Sequence, residues 1–125
     1  MKFMKSVILS CVAALNLCAG EPVVNFFELT NAPGKFENFR RLGEENIVNS
    51  LEKERDTLAM MCVSRADDEN SHFVFEIYAD EAAYEAHRQS PHFRAYIEQS
   101  KDMVVRKEFI KIKNLISISK GAFAG

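Results

Sequence analysis

The sequence predicts an α+β domain with the ferredoxin-like element order β-α-β-β-α-β. The prediction depends on segments whose apolar residues have helical spacing, on segments rich in β-branched and aromatic residues, and on the order of these segments. Helices that connect antiparallel strands in this order cover one face of a four-stranded sheet. With 125 residues, the chain is long enough for one domain.

Composition is that of an ordinary globular protein and argues against two kinds of partner. Apolar residues make up 47% of the chain and charged residues 27%. The formal net charge of −2 argues against a nucleic-acid-binding protein, because such proteins carry a basic face. After residue 20, no apolar stretch is long enough to span a bilayer.

The N-terminal residues predict a secretory signal peptide. Lys2 and Lys5 precede an apolar run over residues 7–17, and small residues occupy positions 18–20. We therefore expect the protein to be exported, to the bacterial periplasm or the medium.

This prediction divides the chain into a signal peptide at residues 1–20 and a domain at residues 21–125. Lipidation of Cys18, as in bacterial lipoproteins, is the less favoured alternative. Leu17 is bulky at a position where a lipoprotein signal carries a small residue.

A strand and a long helix begin the domain. Val23–Thr30 is rich in β-branched and aromatic residues, and Asn25 is the polar member of an otherwise apolar strand face. Residues 35–54 follow with helical spacing. The apolar positions of this helix are Phe36, Phe39, Leu42, Ile47 and Leu51.

Two further strands are predicted at Thr57–Ser64 and His72–Ala79, joined by a hairpin loop over residues 65–71. A short connection makes them antiparallel. Because the first of these strands is apolar on both faces, we expect Cys62 within it to be a buried, unreactive thiol.

The strand that begins at His72 has a second, polar and aromatic face. Val74, Glu76 and Tyr78 share this face with His72. A glutamate with such neighbours lies either in solvent or in a pocket, and the pattern alone does not decide between them.

The rest of the domain is predicted as a helix with a break, followed by a strand. Asp80 is a suitable N-cap for a helix that starts at Glu81. Ser90-Pro91 restarts the helix, which continues over His92–Met103, since proline is favoured at the first helical position. Lys107–Ser119 alternates and predicts the last strand.

One face of this sheet has no helix to cover it. The two middle strands in sequence carry apolar or aromatic residues on both faces, so the uncovered face exposes more apolar area than a soluble monomer usually shows. We predict a homodimer with twofold symmetry, in which a second copy of the sheet covers this face. The opposite face, beneath the helices, then becomes a candidate pocket for a small molecule.

Residues 76–93 contain a motif of chemically distinctive side chains. Glu76 and Tyr78 stand two positions apart, and Ala86-His87 is followed by Ser90-Pro91-His92-Phe93. This motif resembles that of the antibiotic biosynthesis monooxygenase family. The resemblance implies a dimeric α+β barrel of two ferredoxin-like subunits.

The resemblance also separates branches of that family. Its haem-degrading branch uses an Asn on the first strand, a Trp after the third and a His late in the second helix. Asn25 matches the first of these, whereas Tyr78 and Ile97 stand at the other two. These departures argue against haem degradation, and the pattern of His87 and His92 most resembles the quinol monooxygenase and autoinducer-2 branch.

A quinol monooxygenase of this kind works without a cofactor, because the deprotonated ring supplies electrons to O2. The protein must provide a base, hydrogen-bonding groups and a dry pocket. The resemblance implies that His87 is the base, that Tyr78 orients a ring oxygen, and that His92 either holds a substrate oxygen or caps the helix at Pro91.

Substrate binding is assigned to three further side chains. Asn25 is expected to orient a ring oxygen, and Glu76 and Phe93 complete the predicted substrate site. The resemblance implies that no cofactor is needed. No metal is predicted either, because the three histidines of the chain lack the spacing of a metal site.

Two other functions fit the same pattern. The first is a non-catalytic module that binds a small hydrophobic molecule in the same cleft. The second is an isomerase or hydrolase like the autoinducer-2 branch. A purely structural role also fits each candidate side chain.

Overall fold

A computed structural model describes residues 20–113, which form a four-stranded antiparallel sheet with helices on one face. The elements are β1 (Val23–Asn31), α1 (Phe36–Lys53), β2 (Thr57–Arg65), β3 (Asp68–Tyr78), α2 (Glu81–Gln89), α3 (Pro91–Ser100) and β4 (Val104–Ile110). The strand order is β2-β3-β1-β4. The predicted ferredoxin-like fold is confirmed. The predicted signal peptide lies, apart from Gly20, outside the described residues.

Strand β1 lies at the centre of the sheet and sets its register. Asn25 pairs with Glu76 on β3, and Leu29 pairs with His72. Because paired residues point to the same face of a sheet, these four side chains lie together beneath the helices. Asn25, Leu29 and His72 are buried there.

Helix α1 buries a stripe of polar residues. Leu42 is buried as its spacing predicts, but Leu51 is 44% exposed. Asn46 and Ser50 are buried instead, and the Ser50 hydroxyl donates to the Asn46 carbonyl at 2.7 Å. Glu54, the C-cap, continues the same four-residue spacing, so the polar residues lie on one face of the helix.

The hairpin between β2 and β3 is tighter than predicted. A loop over residues 65–71 was expected, but β3 already begins at Asp68, which pairs with Arg65 across a two-residue turn. The Arg65 guanidinium donates to the Asp67 carboxylate at 2.8 Å, and the Asn70 amide donates to Asp68 at 3.0 Å. These local hydrogen bonds stabilise the turn and lengthen the ladder.

The break between α2 and α3 follows the predicted capping. The Asp80 carboxylate accepts a hydrogen bond from the Ala83 amide at 2.8 Å. Ser90 ends α2, and its hydroxyl oxygen accepts from the Phe93 amide to cap α3, with Pro91 in the first turn. No helix within residues 20–113 is long and apolar enough to cross a membrane.

The last strand lies earlier than the predicted Lys107–Ser119. Helix α3 ends at Ser100, and β4 starts at Val104. The reason is that the Met103 carbonyl accepts from the Asn31 side chain at 3.2 Å and from the Ala32 amide at 2.9 Å, which aligns the chain with β1 at once. The end of the predicted strand lies outside the described residues.

The other face of the sheet, here called the open sheet face, carries Phe26, Met61, Val63, Phe73 and Phe75. Phe26 stacks on Phe73 with ring centroids 5.8 Å apart, and Phe26 is also the register partner of Phe75. Met61 is 55% exposed and Val63 44%. Within residues 20–113, no helix covers this apolar surface.

Candidate active site

A cavity of about 430 Å³ lies between the helix-side face of the sheet and the three helices. Its walls are mostly apolar and aromatic, and this volume is typical of sites for small molecules. A few polar side chains interrupt the apolar lining. Those discussed below are Asn46, Glu76, His87 and Lys107.

His87 lines the cavity, and one of its ring nitrogens is bound by the protein. The residue is 1% exposed, and its Nδ1 lies 3.0 and 3.1 Å from the two carboxylate oxygens of Glu54. Its Nε2 is buried and has no hydrogen-bond partner among the described residues. His87 lines the cavity, so Nε2 is the nitrogen of this ring that is left for a hydrogen bond with a ligand.

The partners of Nδ1 determine the tautomer of His87. An ionised carboxylate only accepts hydrogen bonds, so Nδ1 carries the proton and donates it to Glu54. The Ser50 hydroxyl, 3.4 Å from Nδ1, gives its own hydrogen to the Asn46 carbonyl and does not compete as a donor. In the neutral ring, Nε2 therefore holds a free lone pair, as a general base requires.

Glu54 is the anionic centre of this cluster. The carboxylate accepts hydrogen bonds from the Thr57 hydroxyl at 2.7 Å, from His92 Nε2 and from His87 Nδ1. Burial raises the pKa of Glu54, but the bonds from Thr57, His92 and His87 outweigh burial and lower the pKa below its ordinary value. Glu54 therefore stays ionised and fixes both imidazole rings.

Glu76 and Tyr78 form a second buried pair. The fully buried Tyr78 donates its phenolic hydrogen to Glu76 Oε2 at 2.8 Å. Burial raises the pKa of Glu76, and burial together with the neighbouring Glu76 raises the pKa of Tyr78, so the phenol stays a donor. Glu76 lines the cavity, which answers the question that the strand pattern left open.

The predicted site residues fall into two groups in the structure. His87, Glu76 and Phe93 line the cavity, and the Phe93 ring lies 4.7 Å from the His87 ring. Three others do not line it: Tyr78 lies behind Glu76, Asn25 is buried opposite Glu76 with no partner for its Nδ2 among the described residues, and His92 binds Glu54.

His92 thus has neither of the two positions considered for it. It does not line the cavity, and the cap of α3 comes from Ser90. Its Nε2 donates to Glu54 Oε2, the oxygen that also lies 3.1 Å from His87 Nδ1.

Two sequence-based expectations can be compared with these positions. The third histidine, His72, lies apart from the other two, between Asn31 and the Ser64 hydroxyl. The prediction that Cys62 is buried is wrong: its strand position faces the cavity, and the residue is exposed there.

A cation could be held only by a rearrangement of the carboxylate cluster. Ligand atoms of Glu54, His87 and His92 lie within 4.8 Å of one another, and two histidines with one carboxylate are a known zinc ligand set. In the structure, both imidazoles bond directly to the carboxylate, and a cation would replace those hydrogen bonds.

The sequence reasoning missed Glu54, Ser50 and Asn46 as parts of the site. A signal for them was present, because polar residues spaced four apart at these positions form one stripe beside the apolar face of α1. In this structure the stripe is turned away from solvent, and its members bond to one another and to His87.

Comparison with known proteins agrees with this fold and identifies the family. The antibiotic biosynthesis monooxygenase family matches residues 22–99 of the chain. An uncharacterised protein of Synechocystis is 29% identical over 94 residues, which are 75% of this chain; the chain spans 63% of that protein's length.

Solved structures place the chain in the same group. A proposed antibiotic biosynthesis monooxygenase from Bacteroides thetaiotaomicron is 33% identical, with a TM-score of 0.76 over 80% of this chain and 95% of that one. A Pseudomonas aeruginosa protein, 20% identical over 78% of this chain and 98% of that one, shares the fold with a TM-score of 0.70. The chain belongs to the antibiotic biosynthesis monooxygenase family.

Proposed function

We propose that the protein is a cofactor-independent monooxygenase that acts on a quinol or a similar electron-rich aromatic. The observation that carries the proposal is His87 Nε2, a buried nitrogen without a partner at the wall of an apolar cavity. Glu54 holds the opposite ring nitrogen, so Nε2 is oriented as a proton acceptor. The family supports oxygenation as the class of reaction.

The reaction begins with removal of a proton from a ring hydroxyl by His87 Nε2. The resulting anion passes electrons to O2, since electron-rich rings become reductants when deprotonated. One oxygen atom forms a bond to a ring carbon, and the other leaves as water. A hydroquinone and O2 thus give a hydroxyquinone and water, and the substrate supplies all the electrons.

Other groups of the site have supporting roles in this proposal. The apolar walls exclude water, which strengthens the hydrogen bonds that form to the ring oxygens. Tyr78 acts on Glu76 as a positioning residue, because its hydroxyl donates to the carboxylate that lines the cavity. His92 acts in the same way on Glu54.

The test is oxygen uptake by the purified protein with a panel of hydroquinones under ¹⁸O2. We expect uptake above the rate of spontaneous oxidation and one labelled oxygen atom in the ring product. Uptake that yields an unlabelled quinone would show a simple oxidase. An absence of uptake across the panel would contradict the proposal and favour a binding module.

We propose in addition that two chains associate through the open sheet face. Its exposed apolar residues, including Met61 and Val63, support a homodimer, because apolar patches of this kind are rare on monomers. The twofold partner would cover Phe26 and Phe75 at the middle of the sheet.

The substitution Phe75→Asp or Met61→Asp is expected to convert the dimer to a monomer, because a charge is then buried against an apolar partner surface. Leu51→Asp, which also replaces an exposed apolar residue but lies on α1, serves as the control. Mass is measured by light scattering and secondary structure by circular dichroism. A wild-type monomer, or dimers in both sheet variants, would refute this interface.

We also propose that the protein is exported. The basic Lys2 and Lys5, the apolar run over residues 7–17 and the small residues after it support the proposal. In a bacterial host, the product should appear in the periplasm or medium, with an N-terminus after Gly20 by mass spectrometry. A full-length cytoplasmic product would contradict it, and a lipid adduct on Cys18 would indicate the lipoprotein alternative.

A further inference from the structure

Asn46 is a second buried polar group on the cavity wall without a partner. The residue is 7% exposed and lines the cavity from α1. Its Oδ1 is buried and accepts no hydrogen bond from the described residues. Buried polar atoms are normally paired in folded proteins, so an unpaired one beside a cavity indicates a ligand.

Asn46 is also tied to the base through the backbone. The Ser50 hydroxyl donates to the Asn46 carbonyl, and the hydroxyl oxygen of Ser50 lies 3.4 Å from His87 Nδ1. Asn46 on α1 and His87 on α2 are therefore linked through Ser50. Each presents one unpaired polar atom, Oδ1 of Asn46 and Nε2 of His87.

Two other charged groups of the cavity already have contacts. Glu76 accepts the hydrogen bond of Tyr78 at 2.8 Å. The Lys107 ammonium lies over the Phe27 ring, 5.1 Å from its centroid. Among the described residues that line the cavity, Asn46 and His87 are the two with a buried side-chain polar atom that has no partner, so a ligand would complete their hydrogen bonding.

We propose that Asn46 binds the second oxygen substituent of the ring substrate, so that the cavity selects dihydroxylated over monohydroxylated aromatics. The inference rests on the proposed function and names its specificity residue. His87 takes the hydroxyl that loses its proton, and the Asn46 amide takes the other one. An amide offers both a donor and an acceptor, so it can follow this oxygen from hydroxyl to carbonyl as the ring is oxidised.

The experiment measures binding without turnover, by calorimetry under nitrogen. The probes are 1,4-dihydroxynaphthalene, 1-naphthol and naphthalene, which share one ring system and carry two, one and no hydroxyl groups. Wild type is expected to bind the diol about tenfold more tightly than 1-naphthol, because the monohydroxy probe leaves Asn46 unpaired.

Asn46→Leu should abolish the preference for the diol while 1-naphthol affinity changes little. Asn46→Ala is a second variant, in case leucine disturbs the packing of α1. The matched control is Asn49→Leu on the same helix, since Asn49 donates to the Glu45 carbonyl and does not line the cavity. This control should keep the preference of the wild type.

The outcomes separate this inference from the proposed function. A preference for the diol that survives in both Asn46 variants, or no binding of any ring probe, would overturn the inference. If the binding pattern is as expected but ¹⁸O2 labels no product, Asn46 still binds the second hydroxyl, and only the oxygenase proposal fails.

Discussion

His87→Ala is expected to lower the rate of oxygen uptake about a hundredfold or more, because a positioned general base contributes 10²–10⁴-fold to such a reaction. The side chain is the base in the proposed reaction, and its Nε2 is the unpaired nitrogen at the cavity wall. Uptake is measured under the conditions that give labelled product with the wild type.

Two controls make the loss specific to the imidazole. Gln89→Ala changes an exposed residue near the end of the same helix and should keep the wild-type rate. Added imidazole should restore part of the activity of His87→Ala, since the vacated space lies between the cavity and Glu54. If His87→Ala turns over at the wild-type rate, His87 is not the base.

The sequence contained enough information for the order of elements and for the helix caps. Asp80 and Ser90-Pro91 could be recognised because capping is local: the acceptor side chain and the amide that it binds lie three residues apart. The alternation along β3 likewise placed Glu76 and Tyr78 on one face.

The ends of the last strand could not be predicted for the opposite reason. β4 starts early because Asn31, some seventy residues away in sequence, donates to the Met103 carbonyl. The alternating pattern of residues 107–119 does not indicate that contact.

The anionic centre of the site also depends on tertiary contacts. Glu54 follows α1, whereas its partners His87 and His92 belong to α2 and α3. Periodicity placed the apolar face of α1 on Leu51, but the helix turns Ser50 inward because its hydroxyl bonds to Asn46 and lies beside His87. Which ring nitrogen of His87 is free follows only from these partners.

The substitution Glu54→Gln should lower the free energy of unfolding by about 3 kcal/mol at pH 7, as is typical when one partner of a buried charged cluster is lost. Glutamine keeps one acceptor oxygen but sets an NH2 group against imidazole N–H donors. Thr57, His87 and His92 then compete for a single oxygen. Urea unfolding at matched protein concentration measures the change, with and without EDTA to test for a bound cation.

The difference in the free energy of unfolding between wild type and Glu54→Gln depends on pH with a definite sign. The pKa of Glu54 is lower in the folded protein than its ordinary value of 4.5, so its contribution is complete above that pH. The contribution is lost as the pH falls through the depressed folded pKa. The gap between wild type and Glu54→Gln should therefore be full at pH 7 and narrow below about pH 4.5.

Glu76→Gln is the matched comparison, because burial raises the pKa of Glu76. An ionised Glu76 costs stability above its ordinary pKa, so Glu76→Gln should be more stable than the wild type at pH 7 and lose that advantage in acid. The two substitutions then change the free energy of unfolding in opposite directions at neutral pH. Equal stability of Glu54→Gln and wild type at pH 7, or a gap that widens in acid, would show that Glu54 does not hold the two histidines.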